Sequence, residues 1–326
     1  MSLDADAIVD RRRMRRKLTF WRVFAALFAV IAVAALAAVL ARGTGLSARP
    51  GSYIARVTIS GLIRGNQERV EALGRLAKSP ARAVIVHVDS PGGTTAGSEQ
   101  LYDALRRVAR QKPTVVVVDG LAASGGYIAA LAADHIVSQG TSLVGSIGVL
   151  FQYPNFTELM KTLGIKVEEI KSSPLKAAPN GFEPTSPEAR AAVDAIVKDT
   201  YAWFRDMVRE RRRLDDAMLE RVADGRVFTG RQALELKLVD EIGSEQSAID
   251  WLAKEKGIDP ALRVTDWQLH ARFGELSFLH LAATAAFHAV GLSALARRIE
   301  GWSAVEAVER LNLDGLLALW QPSGAN

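Results

Sequence analysis

Alternating β-branched runs and amphipathic helical stretches predict an α/β fold whose parallel or mixed sheet is covered by helices on both faces. Two strand-like runs, AVIVHV at 83–88 and TVVVV at 114–118, carry little polar interruption, as strands buried on both faces do. Helical periodicity in NQERVEALGRL (66–76) precedes the first, and helical periodicity over residues 98–110 separates the two. A hydrophobic fraction of 49% over 326 residues is enough for a sizeable core, in one large domain or two small ones.

In chain order, residues 1–22 form a basic tail, with seven Arg/Lys against three Asp. Residues 23–41 (VFAALFAVIAVAALAAVLA) carry no charge over 19 positions. As a helix they would span roughly 28 Å, about the hydrocarbon thickness of a bilayer. The expectation is a single transmembrane anchor with the N-terminus cytoplasmic, because the basic cluster lies immediately before it. Trp21 and Arg22 would sit at that interface. A cleaved signal peptide is the rival reading, disfavoured by the length of the apolar run.

Residues 42–52 read as a linker, and 53–258 as the main domain. YIARVTISGLI (53–63) is a strand, followed by the helix 66–76 and the strand 83–88. DSPGGTTAG reads as a turn, 98–110 as a helix and 114–118 as a strand broken by Asp119-Gly120. Ser124-Gly125-Gly126 opens an alanine-rich helix at 127–133, followed by a short strand at 135–138 and the glycine-punctuated GSIGVL. A short helix at 155–163, a strand at 165–170 and a proline-rich loop come next. Helices over 188–213, 216–222 and 245–256 complete the domain, with no clear internal repeat. Residues 259–326 read as an apolar helical extension in which 276–296 packs on a membrane surface or a partner, or spans the membrane a second time.

Net charge is +5, but the tail accounts for most of it, leaving 34 basic and 33 acidic residues elsewhere. The basic balance is therefore weak evidence for nucleic acid, and no nucleic-acid partner is expected. Zero cysteines exclude a disulfide scaffold, a thiolate nucleophile and a Cys-based zinc site. No P-loop or metal-ligand motif is present, so no cofactor and no metal are expected.

The chemistry centres on Ser124. A serine at a strand-to-helix turn lies beside amides that no helical carbonyl satisfies, and such amides can hold an oxyanion. Gly125 and Gly126 let a substrate carbonyl approach the backbone. An ordinary N-cap serine is the competing reading. A serine nucleophile requires a base. None of the five histidines, His87, His135, His270, His280 and His288, lies in a Gly/Pro-rich loop suited to that role, so a Ser-His-Asp triad is not supported. A desolvated lysine is the alternative base. Lys176 in SSPLKAAP is one candidate, and Lys171, at the end of VEEIK, is its local competitor. Ser90-Pro91-Gly92-Gly93 offers further free amides at a strand's carboxyl end, where open α/β sheets bind ligands.

VDSPGG, GLAASGGYIAALAADHIVSQGTSLVGSIGV, KSSPLKAAP and GRVFTGRQALELKLVDEIGS stand in an order and spacing that resemble the signal peptide peptidase SppA family, the S49 serine proteases, in its short single-repeat form. The resemblance runs from about residue 53 to 256. It implies a ClpP/crotonase-like fold and a Ser-Lys dyad, with Ser124 as nucleophile and Lys176, 52 positions later, as general base. It further implies that Ser146 orients the lysine and that Gly93 and Gly125 line the oxyanion hole, with Gly92 the near alternative. Also implied are homo-oligomers whose sites draw Ser and Lys from adjacent subunits. Substrates would be apolar peptides such as cleaved signal peptides, and the protease domain would face the periplasmic side of the bacterial inner membrane. Thr229 and Gly230 read as a helix cap and turn, and Leu238-Val239 as packing. Two other classes of function remain: a catalytically silent membrane scaffold, and a crotonase-like acyl-CoA enzyme.

Overall fold

The computed structural model describes residues 17, 18, 20–22, 24, 51–269 and 316–319. The chain divides into two compact units, Met1–Gly51 and Ser52–Asn326. In the first, residues 17, 18, 20–22 and 24 are helical. The expected anchor at 23–41 and the apolar stretch 276–296 lie outside the described residues, Phe24 apart. Among the described residues no helix is long and apolar enough to cross a membrane.

The second unit is a ten-stranded mixed sheet flanked by helices. Its first half runs β1 (Tyr53–Ile63), α1 (Gln67–Ala77), β2 (Ala81–Thr94), α2 (Thr95–Ala109), β3 (Thr114–Ala123), α3 (Gly125–Ala130), β4 (His135–Ser138), β5 (Leu143–Gly145) and β6 (Leu150–Phe151). Then follow α4 (Thr157–Thr162), α5 (Pro187–Arg212), α6 (Asp216–Val222), β7 (Val227–Thr229), α7 (Gly230–Glu235), β8 (Glu241–Ile242), α8 (Glu245–Lys256), β9 (Val264–Asp266) and β10 (Leu316–Leu319).

Strands β1 to β4 pair in parallel, β2 lying between β1 and β3. Alternate side chains of these strands serve different layers. Val57, Val84, Val86, Val116 and Val118 join Leu73, Leu76, Leu101 and Leu105 of α1 and α2 in the larger core. Ile54, Ile85, Val115, Val117 and Val137 face the opposite way and pack with Ala248 and Leu252 of α8. Burial on both faces is why these runs read as continuously apolar.

Three expectations need correction. The segment read as a turn, DSPGGTTAG, instead prolongs β2 to Thr94 and then starts α2. Proline is tolerated there because β2 shifts register against both neighbours around it, and Pro91 is paired in neither ladder. Asp119-Gly120 does not end β3. The pair forms an irregularity past which β3 changes partner, from β4 at Val115–Val118 to β5 at Leu121–Ala123. The strand expected at 165–170 does not form, because no neighbour offers it an edge, and Ile170 is fully exposed.

The sheet also draws on residues beyond 258. Strand β9 pairs in parallel with β1, and the Trp267 backbone N–H donates to Arg56 O at 2.7 Å. Three polar-flanked residues gave β9 no readable periodicity. Strand β10, part of the apolar tail, lies antiparallel to both β2 and β6.

Candidate active site

Ser124 occupies the junction of β3 and α3. Its backbone, φ 54° and ψ −116°, is a conformation that non-glycine residues rarely adopt. Neighbouring backbone groups hold it there. The Ser124 N–H donates to Gly145 O at 2.7 Å, and the Ser124 carbonyl accepts from Ile128 N at 2.9 Å. Tyr127, fully buried in α3, donates its hydroxyl to Leu238 O at 2.8 Å and ties the helix to the core. Burial pushes that phenol's pKa well up. Strain of this kind survives only where the surroundings over-determine it, and it concentrates at functional sites.

The side chain decides between the two readings of this serine. An N-cap serine would accept a hydrogen bond from an amide in the first turn. Ser124 makes no such bond. It is 1% exposed, and its Oγ has no hydrogen-bond partner among the described residues. A buried hydroxyl left unpaired costs on the order of 1–3 kcal/mol. The cost is borne by a group pointed at something other than its own fold.

Ser146 is brought beside it. Register pairs Ala123 with Gly145, so Ser124 and Ser146 are the next residues on adjacent strands. Ser146 is also buried, with φ 51°, and its N–H donates to Arg226 O at 2.8 Å. Sequence reading missed these supports. The carbonyls of Gly145 and Arg226 act through the backbone, and the GRVFTG stretch contributes by pairing β7 against β5. Its Thr229 caps α7 as expected, in a capping box with Gln232; Gly230, read as a turn, is the first residue of α7; Leu238 and Val239 are buried as expected.

The Ser90–Gly93 stretch closes on the serine turn. A Cβ on Gly126 would lie 2.6 Å from Ser90 O, so only glycine lets α3 meet β2 here. A Cβ on Gly93 would lie 1.7 Å from Ile63 O, which fixes glycine there as well. Ser90 Oγ donates to Gly61 O at 2.7 Å and accepts from Gly92 N at 3.1 Å. The Gly92 amide is therefore already engaged, which leaves Gly93 and Gly125 as the better-placed donors of the three. Gly125 is the first residue of α3, where the helix supplies its amide no acceptor.

The two lysines are set apart by their partners. Lys171 lies 2.7 Å from a Glu169 oxygen and is also paired with Glu183. The hydrogen bonds it donates to Glu169 first and Glu183 second raise its pKa, the wrong direction for a neutral base. Lys176 has no such cage. It is exposed, in a stretch bent by a positive φ at Ala177. Within one chain no hydrogen bond joins it to Ser124 Oγ.

No described histidine serves Ser124 either. The His87 ring lies between Asp119 and Glu245, with nitrogen-to-oxygen distances of 2.9 and 2.7 Å. His135 lies 3.2 Å from a Glu241 oxygen and stacks on Trp251. His270, His280 and His288 lie outside the described residues. Among the described residues no cluster of metal-ligating side chains occurs.

A parallel sheet that delivers a strained serine to the head of a short helix, facing glycine amides from the next strand, has the form of a Clp-protease-like α/β protein. Residues 65–139 match the Clp protease family. Residues 106–259 match Peptidase family S49. A putative protease of Synechocystis sp. is 34% identical over 209 residues, covering 64% of this chain and 76% of that protein. A putative protease of Methanocaldococcus jannaschii is 38% identical over 52% of this chain and 54% of its own length. A putative signal peptide peptidase SppA of Enterococcus faecium is 32% identical over 55% of this chain and 53% of its own. The chain belongs to peptidase family S49.

Proposed function

We propose that this S49 protease is a membrane-anchored serine endopeptidase that cleaves extended apolar peptides, cleaved signal peptides among them, with Ser124 as nucleophile and Lys176 as base. The observation that carries the reading is the Ser124 hydroxyl, buried, unpartnered and held in a strained turn beside Gly93 and Gly125.

In the reaction, Lys176, acting as base, takes the Ser124 proton as Oγ bonds to the scissile carbonyl carbon. The carbonyl oxygen becomes an oxyanion, held by the amides of Gly93 and Gly125. Collapse of the tetrahedral intermediate breaks the C–N bond, and lysinium gives its proton to the leaving amine. Water, deprotonated by Lys176, then cleaves the acyl-enzyme and returns Ser124. Ser146 orients the lysine.

A lysine becomes a base only when its ammonium is desolvated. The segment that carries Lys176, residues 152–186, exposes Leu159, Leu163, Ile165, Leu175 and Phe182. Packing of that apolar segment against a second copy would bury Lys176 and bring it to the neighbour's Ser124. An anchor at 23–41, as the sequence leads one to expect, would hold the protease domain at the outer face of the inner membrane.

The test compares the full-length chain with Ser124→Ala and Lys176→Ala on an apolar fluorogenic peptide, with assembly followed by analytical ultracentrifugation. Hydrolysis by wild type alone, at equal assembly, is the expected outcome. Hydrolysis that survives Lys176→Ala removes the lysine from the mechanism.

A further inference from the structure

We infer that residues 316–319 of this chain are a built-in occupant of its own peptide slot, competing with substrate. The inference rests on the proposed function in one respect, that the slot beside Ser124 is where peptide binds.

The argument is one of strand edges. Every strand has two. At Gly92 and Gly93 one edge of β2 is taken by β1, through Leu62 and Ile63. The other edge belongs to β3 only as far as Ser90, paired with Ala122. One residue later β3 ends at Ala123, and Ser124 follows. From Gly92 onward the edge that β3 vacates is open, and it lies directly ahead of the serine turn. Strand β10 fills it, pairing Leu319 with Gly92, Ala318 with Gly93 and Leu317 with Thr94. On its far side it pairs with β6, Leu316 with Phe151 and Leu317 with Leu150.

The segment is thus hydrogen-bonded between two strands, and one of them carries both Gly92 and Gly93. Strand addition to a free edge is a general mode of peptide recognition, in which backbone pairing supplies affinity. An extended substrate presenting its carbonyl to Gly93 needs the same ladder. Both cannot hold it at once. The occupying sequence, LLAL, is uncharged and apolar, the chemistry expected of the substrate itself.

Successive N–H groups of a strand point to opposite neighbours. Leu317→Pro and Ala318→Pro, made separately in the full-length chain, therefore remove a donor toward one neighbour each. The probe is a fluorescein-labelled peptide DGLLALWQ, this chain's residues 314–321, with binding read by anisotropy in a Ser124→Ala background. If β10 occupies the slot in nine molecules of ten, either proline should tighten binding by up to about tenfold. Hydrolysis by the Ser124-containing proline variants should rise by a similar factor at low substrate. Amide exchange at Gly93 should be slow in the unsubstituted chain and faster in at least one of the proline variants.

Equal peptide affinity with and without the prolines overturns the inference, as does fast exchange at Gly93 in the unsubstituted chain. Failure of the protease reading looks different. The proline variants would still bind peptide more tightly, while no hydrolysis depended on Ser124.

Discussion

The two candidate dyad residues live in contrasting parts of one fold. Ser124 is held by β3, α3, β5 and the Ser90–Gly93 stretch, with its neighbours buried almost completely. Lys176 rides on residues 152–186, where α4 is the sole regular element and no residue is fully buried. At the base of this segment the Tyr153 and Thr185 hydroxyls lie 2.7 Å apart, and further out Phe156 N donates to Gly181 O. Under the proposed dyad, the difference teaches that the chain alone finishes the serine half of the chemistry. The other half is left open, with apolar residues around it that water does not favour. Such an asymmetry is what a site completed by assembly requires.

The largest expected effect breaks the serine half. Ser124→Ala should lower peptide hydrolysis about a thousandfold or more, and Lys176→Ala comparably. The double variant should fall no further, since members of one catalytic unit are not additive. Lys171→Ala should stay within a fewfold of wild type, because that lysine is committed to Glu169 and Glu183. The comparison sharpens when the two inactive chains are refolded together in equal amounts. If serine and lysine come from different subunits, about a quarter of sites should recover both residues. Recovery of no activity would mean that each chain supplies its own pair.

Next comes the close approach between β1 and β2. Gly93→Ala drives a methyl into the Ile63 carbonyl, and the flanking strands can yield only by moving apart. A loss of about 2–3 kcal/mol of unfolding free energy, read from urea denaturation, is expected, together with loss of hydrolysis. Unchanged stability would mean that the strands separate freely here. Ser146→Ala is milder. It leaves the backbone bond to Arg226 O in place and removes only a hydroxyl, so kcat should fall by up to about a hundredfold at unchanged folding. A shift of the pH–rate profile in that variant would separate lysine orientation from simple packing.

Much of this was legible in the sequence where the local signal and the tertiary outcome coincide. β1, β4, α6 and α8 follow their expected bounds, because apolar runs and caps lie within each element. Ser124 and the Ser90–Gly93 stretch are legible from their turns and glycines, Ser146 only through the family resemblance, and the fold brings all three together. The errors share a cause. Pro91 and Asp119-Gly120 look like breakers, yet the sheet absorbs them as register shifts that only neighbouring strands reveal. Residues 165–170 alternate like a strand but meet no edge, and β10 pairs because an edge is vacant some two hundred residues upstream. Edges are properties of the assembled sheet. No window along the chain contains them.

The smallest expected effect lies on the far side of the sheet and tests whether the serine half is as rigid as its packing implies. Arg56 of β1 grips Glu245 with two hydrogen bonds of 2.6 Å, and a third of 3.0 Å reaches Asp266. The other face of the same carboxylate meets His87, which also contacts Asp119. The cluster joins β1, β2, β3, β9 and the start of α8. Hydrogen bonding by Arg56 first, opposed by partial burial and aided by His87, holds the Glu245 pKa below the ordinary glutamate range. A depressed carboxylate pKa contributes stability above the unfolded value and loses it as pH falls through the folded one. Stability from this group should therefore begin to decline below about pH 4.3, the value for a solvated glutamate. Glu245→Gln should cost about 1 kcal/mol at pH 7, since both partners are partly exposed and screened. In urea titrations at pH 7 and pH 3 the difference between variant and wild type should shrink at the acid end. A difference that stays constant would mean that the carboxylate's charge contributes nothing, and that the join between β1 and α8 is made by packing alone.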